Sequence, residues 1–212
     1  GQPRELLRVW HASIVKVALV MLPVCVLLFV AADAYVTVLF TADYLRAAGP
    51  MRVYLLLLPL RVTAYGVVLQ ALGDTRTVLE VSLIGLLLNA AGSAGGIAWL
   101  GFLGPSVATV AVQFVLVGLL LRRIGQHLRV GLDEVFPWGG YARVAAVSLA
   151  AAPVAYVVVR ACAGSAGAAL GLSTLAYLAA YGALGSLTGV ITREDRRWLL
   201  AKLRLRRGEV AT

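Results

Sequence analysis

The feature that most limits what this chain can fold into is a succession of long stretches almost free of charge. A run of roughly 18 or more apolar residues crosses the ~30 Å hydrocarbon core of a bilayer as a helix. Six such stretches are predicted: Ser13–Leu39, Met51–Leu72, Val78–Leu100, Ser106–Leu121, Arg143–Val159 and Ala168–Val190. Short polar links separate them, the longest being Arg122–Trp138. A transmembrane barrel would instead show alternating strands of ~10 residues, a pattern this sequence lacks. Hydrophobic residues make up 61% of the 212 and charged ones 14%, against about 45–50% and about 25% in soluble domains. The expectation is an all-α, polytopic membrane helical bundle of about six transmembrane helices. A soluble domain is excluded.

The charges fall in a pattern of their own. The chain carries 19 Lys and Arg against 10 Asp and Glu, a net charge of +9. Threading the predicted spans puts Arg4, Arg8, Lys16, Arg76, Arg122, Arg123, Arg129, Arg143 and a basic tail from Arg193 to Arg207 on one side. Only Arg46, Arg52 and Arg160 reach the other, and Arg61 lies within a span. Basic residues mark the cytoplasmic side, so both ends are predicted to be cytoplasmic. Trp10, Trp99, Trp138 and Trp198 sit at span ends, where an aromatic belt belongs. No basic–aromatic interleaving or reader motif points to nucleic acid. The tail reads as an anchor on anionic lipid, with Leu spacing that suits an interfacial helix.

Local signals refine the spans. Pro23 predicts a kink in the first. Gly73-Asp74-Thr75-Arg76 reads as a turn followed by a helix start, with Arg76 and Glu80 placed for an i,i+4 pair. Gly101–Pro105 makes a tight link. Gly92-xxx-Gly96, Gly167-xxx-Gly171 and Gly185-xxx-Gly189 predict close helix packing. The first block is too long for a signal h-region and lacks an A-x-A cleavage site, so the first span is expected to be retained. A chain that starts at Gly1 is expected of the C-terminal portion of a longer protein, or of processing.

Arg61 is the sharpest candidate for function. A guanidinium at mid-membrane costs roughly 2.5–3.5 kcal/mol on insertion scales, so it faces a cavity, binds an anion, pairs with an acid or snorkels. On a continuous helix Tyr54, Arg61 and Tyr65 share one face and would line an aqueous path. Lys16 is close enough to a span end to snorkel. Ser82, Asn89 and Ser93 share a face of the third span. Asn89 suits a sugar hydroxyl or a neighbouring helix equally, as does Gln113 on the fourth.

Catalytic constellations are missing: there is no HExxH, G-x-S-x-G or P-loop, and there are no paired intramembrane carboxylates. His11 and His127 are isolated, and Cys25 and Cys162 sit in apolar surroundings without CxxC spacing. No enzyme activity, cofactor or metal is expected.

The order of several short motifs resembles a known family. Met21-Leu22-Pro23 followed by Val38-Leu39-Phe40-Thr41-Ala42-Asp43-Tyr44-Leu45 resembles the "LP … LFG..Y" region of polysaccharide flippases. Leu69–Thr75 is similar to their "L.A.GK" helix end, Leu88-Asn89-Ala90-Ala91 to their "N..LN", and Gly101–Thr109 to "G..GAA.AT". Thr41 stands in place of the usual Gly, Asp74 of the usual Lys, and Pro105-Ser106 of the small pair. The resemblance covers roughly residues 1–125 and points to the Wzx-like polysaccharide transporters of the multidrug/oligosaccharidyl-lipid/polysaccharide exporter superfamily.

That resemblance implies two six-helix lobes around a central cavity, with two extra helices in some members. Residues 1–125 would be the last four helices of the C-terminal lobe, 126–140 a cytoplasmic link, 141–191 the two extra helices and 192–212 a basic cytoplasmic tail. The implied activity is a flippase moving undecaprenyl-diphosphate-linked oligosaccharide across the bacterial cytoplasmic membrane for polysaccharide biosynthesis. Its partners would be that lipid-linked substrate, membrane lipid and the missing N-terminal lobe. Arg61 would bind the diphosphate, with Tyr65 and Asn89 toward the sugar. The rivals are a multidrug exporter of the same superfamily, which would want a central acid, a membrane-embedded enzyme of glycan assembly, and a non-transporting membrane component.

Overall fold

The computed structural model describes residues 2–162 and 164–192, with side chains from Arg4 onward. Every regular element among them is helical. The long helix α1 (Gln2–Val30) begins well before the predicted Ser13. Its first turns are charged rather than apolar, and Arg8 donates to Glu5 at 2.6 Å across i,i+3. A single turn residue, Ala31, separates α1 from α2 (Ala32–Phe40), so the predicted span Ser13–Leu39 is two helical pieces. Hydrogen bonds from Ala31 N to Leu27 O and from Tyr35 N to Ala31 O, both 2.9 Å, carry the ladder across the junction.

The helix assignment of α1 continues through Pro23, where a kink was predicted. The ring removes the N–H that would close onto the carbonyl four residues back, that of Leu19. The hydroxyl of Tyr181 donates to this oxygen at 3.0 Å. The donor comes from the far end of the described chain and satisfies the acceptor that the proline releases.

A 3-10 segment (Ala42–Ala47) leads into α3 (Ala48–Leu55). The predicted continuous span Met51–Leu72 is then broken: α3 ends, a 3-10 turn covers Leu58–Arg61, and α4 (Tyr65–Ala71) follows. The halves Ala42–Leu55 and Leu58–Ala71 meet at 42°. Pro59 supplies the cause, because it lacks an N–H and disfavours helical geometry in the residue before it.

Beyond the break, α5 (Thr75–Leu100) and α6 (Gly104–Leu128) form an antiparallel hairpin over a 3-10 turn at Gly101–Leu103. Gly96 lets the arms close together, since a Cβ there would lie 2.8 Å from Gly104 O. Gly92 similarly faces Ala108, so the first predicted glycine pair does pack. The other two pairs do not join helices within the described residues. Nothing lies within 4 Å of a Cβ at Gly167 or Gly171, and Gly185 faces the side chain of Ile191.

The predicted polar link Arg122–Trp138 is shorter than expected, because α6 stays helical to Leu128. It holds the one-turn helix α7 (Leu132–Val135). The last two helices are α8 (Trp138–Ala161) and α9 (Ala166–Leu187), each close to its predicted span. They pack as a second hairpin, with α8 also against α1. The basic tail from Arg193, its proposed interfacial helix and Trp198 lie outside the described residues.

Four apolar helical stretches are long enough to cross a membrane: Arg4–Val30, Thr75–Leu128, Trp138–Ala161 and Ala166–Leu187. The bent pair around Pro59 makes a fifth if it counts as one span. Much of their surface is apolar and exposed, as at Leu86, Leu87 and Leu175, which suits burial in lipid rather than water. The largest cluster of buried apolar residues lies at the end of the bundle that holds the α1 N-terminus. There Leu7, Trp10 and Ile14 meet Leu121, Ile124, Leu128 and Val135.

The pairing of Pro23 with Tyr181 predicts a coupling. Tyr181→Phe lowers the thermal unfolding midpoint in detergent, by the equivalent of about 0.6–1.5 kcal/mol. Adding Pro23→Ala removes most of that loss, because residue 23 then offers its own N–H to Leu19. Differential scanning fluorimetry of the two single variants and the double variant gives the coupling directly.

Candidate functional site

The break in the second span is the most unusual feature of the bundle. A helix interrupted at membrane depth leaves backbone groups that hydrocarbon cannot satisfy. Two side chains from neighbouring helices meet that need, and a third bonds the Thr63 hydroxyl beside the break. The Cys25 thiol of α1 donates to Leu55 O at 3.2 Å, the carbonyl that Pro59 would otherwise leave open. The Tyr141 hydroxyl of α8 donates to Pro59 O at 2.8 Å. The Trp10 indole N–H of α1 donates to Thr63 Oγ1 at 2.8 Å. Trp10 is therefore buried in the core, although its position had suggested an interfacial belt. Trp99 and Trp138 are exposed at helix ends as that belt requires.

The predicted stripe Tyr54–Arg61–Tyr65 does not form, because the helix meant to carry it is interrupted. Tyr54 belongs to α3, Arg61 to the 3-10 turn and Tyr65 to the start of α4. Tyr65 turns into the core, 6% exposed, with its ring edge-on to Trp10 at 6.5 Å. Arg61 is exposed, and its guanidinium has no hydrogen-bond or ion-pair partner among the described residues.

Asn89 stands apart from both, on the seam of the α5–α6 hairpin. Its amide donates to Thr109 Oγ1 at 3.1 Å and its carbonyl accepts from Ser93 Oγ at 3.3 Å. Of its two predicted roles, the contact to a neighbouring helix is the one seen here. Ser82 bonds its own helix at Val78 O. Lys16 is exposed, as a snorkelling lysine would be.

A second polar cluster was not predicted. Gly73 adopts φ 84°, and Asp74 caps α5 by accepting from Thr77 N at 3.1 Å and Thr77 Oγ1 at 2.8 Å. The same carboxylate accepts from Arg123 Nε at 2.8 Å and His127 Nε2 at 2.6 Å, both one α-helical face of α6. The Asp74 side chain is 10% exposed, so its charge needs these partners. His127, Arg123 and Thr77 hold its carboxyl well below the usual carboxylate range. The i,i+4 spacing of Arg123 and His127 was visible in sequence, but nothing there paired them with Asp74. The predicted Arg76–Glu80 pair forms next to it at 2.7 Å. Among the described residues no group of three or more His, Cys, Asp or Glu could hold a metal.

Geometry and composition define a helical membrane-type bundle with a discontinuous span. Comparison of the chain with protein-family models, curated proteins and solved structures gives no match.

The Asp74 cluster carries a signed pH dependence. A depressed carboxyl pKa stabilises the fold fully above the unfolded value, about 3.9, and that stabilisation is lost as pH falls from there toward the folded value. Thermal midpoints are expected to drop below about pH 4. Asp74→Asn lowers the midpoint at neutral pH and flattens the acid drop.

Proposed function

We propose that this chain is part of a membrane transporter, a flippase that moves undecaprenyl-diphosphate-linked oligosaccharide across a bacterial cytoplasmic membrane. The observation that carries the proposal is Arg61. It is an exposed cation without a partner among the described residues, set at the break of a discontinuous span in an otherwise apolar bundle. Intramembrane cations mark substrate paths, and transporters place substrate sites where helices are interrupted. An anionic diphosphate head group answers that charge. Tyr65 is turned into the core and Asn89 is used on the α5–α6 seam, so of the three residues only Arg61 is assigned to the substrate, and the N-terminal lobe that the resemblance implies would close the cavity.

Thr41 adds independent support for the motif resemblance. It stands where the family motif carries Gly, and its backbone adopts φ 80°, ψ 168°, a region that only glycine enters freely. A multidrug exporter would want an acid in its cavity, whereas Asp33 is bound to Arg52 at 2.7 Å. Neither a glycan-assembly enzyme nor a non-transporting component has a comparable observation in its favour.

The reading also proposes six crossings with both ends cytoplasmic. The stretch Thr75–Leu128 folds back on itself at Gly101–Leu103, and each arm has 25 or 26 residues, about 38 Å at 1.5 Å per residue. In cells, an impermeant thiol reagent should label single cysteines introduced at Asp43, Phe102 and Gly164 from outside. Cysteines at Gly73 and Gly131 should react only after permeabilisation. Labelling of Phe102 from inside would refute the six-span arrangement.

The functional test uses the full-length protein in vesicles with lipid-linked oligosaccharide. Arg61→Ala is expected to cut translocation at least tenfold and Arg61→Lys to keep part of it. Normal transport by Arg61→Ala would remove the assigned role.

A further inference from the structure

The broken span leaves a cleft beside it. The space is about 460 Å³ and is lined by α1 (Leu22, Cys25, Phe29), the break (Leu56, Pro59) and α8 from Tyr141 to Ala152. Its exposed wall is almost wholly apolar, for a physical reason. The polar atoms nearest it are already used, the Cys25 thiol on Leu55 O, the Tyr141 hydroxyl on Pro59 O and the Ser148 hydroxyl on Val144 O.

The cleft has a direction and a length. Along α1 it runs from Leu22 to Val30 and along α8 from Tyr141 to Ala152, or about 12 and 16 Å at 1.5 Å per residue. One leaflet of a bilayer supplies about 15 Å of hydrocarbon. The cleft is walled by the second half of α1 and the first half of α8, whose Gly140 lies against Val15, and it stays open along its side, where Leu149 is 61% exposed.

At its far end stands a cation. Arg52 Nε donates to Phe29 O at 3.2 Å, Phe29 being a wall of the cleft, and Arg52 Nη2 donates to Asp33 at 2.7 Å. The Nη1 group has no hydrogen bond among the described residues. An apolar cleft about as long as one leaflet's hydrocarbon, ending at a guanidinium with a free N–H pair, matches a lipid with an anionic head group.

We propose that this cleft is a binding site for a membrane phospholipid whose head group sits at Arg52. One acyl chain lies between α1, α8 and the broken span, and the phosphate accepts from Arg52 Nη1. The chain covers the two hydrogen bonds that hold Leu55 and Pro59, so the lipid props the break as well as filling the space. The site rests on the chain being embedded in a membrane and is independent of the flippase reading.

The test is native mass spectrometry of the full-length protein in mild detergent, together with photocrosslinking to phosphatidylglycerol or phosphatidylethanolamine bearing a mid-chain diazirine. One phospholipid adduct per chain is expected, with crosslinks concentrated on residues 22–30, 56–59 and 141–152. Ala152→Phe, which fills the cleft, should reduce the adduct at least fivefold. Arg52→Gln should do so too, and Leu172→Phe, on an exposed face of α9, should not. Absence of an adduct, crosslinks spread evenly over exposed faces such as Leu86 and Leu87, or an isoprenoid lipid in place of the phospholipid would each overturn the assignment.

Discussion

The structure depends on one constraint: in hydrocarbon, every backbone N–H and C=O needs a partner from within the protein. Proline breaks that closure, and at Pro23 and Pro59 the bundle answers with side-chain donors from elsewhere in the chain. Leu19 O, released by Pro23, receives the Tyr181 hydroxyl. Leu55 O, released by Pro59, receives the Cys25 thiol. The two prolines have different outcomes because their surroundings differ. Around Pro23, α1 continues on both sides and packs along α8. Around Pro59 the flanking pieces are short, eight residues in α3 and seven in α4, and the chain bends.

Two polar clusters fix the rims. On the side of the α1 N-terminus, Asp74 ties the α4–α5 turn to the end of α6 through Arg123 and His127. At the opposite end, Arg52 ties α3 to the junction of α1 and α2 through Phe29 O and Asp33. Between these rims the α5–α6 seam is closed by glycine and by the neutral group Asn89, Ser93 and Thr109. These paired charges thus sit toward the two ends of the bundle, and Arg61, at the break, has no ion-pair partner among the described residues.

The helical class, the hairpin of the third and fourth spans and the capped start at Asp74 were legible because each rests on a local rule. Apolar length gives a span, Gly and Pro give a turn, and an Asp before Thr gives a cap. The candidate site was legible only in part. Arg61 was singled out because a cation in an apolar run stands out in any fold. Its grouping with Tyr65 assumed an unbroken helix, and Pro59 two residues earlier was the signal against that assumption. Asn89 was read with two outcomes because an amide in a span has two chemical uses, and only its neighbour Thr109 distinguishes them here.

By itself the sequence determined that this chain forms apolar helices with basic ends, since composition and periodicity act within each segment. Tertiary structure alone decided which carbonyl each distant donor serves: Tyr181 on Leu19, Tyr141 on Pro59, and Arg123 with His127 on Asp74. It decided also that the second span bends far enough to leave a lipid-sized cleft beside it. The physical reason is that a proline states which acceptor goes unmet, while the donor that meets it is chosen by packing between helices far apart in the chain.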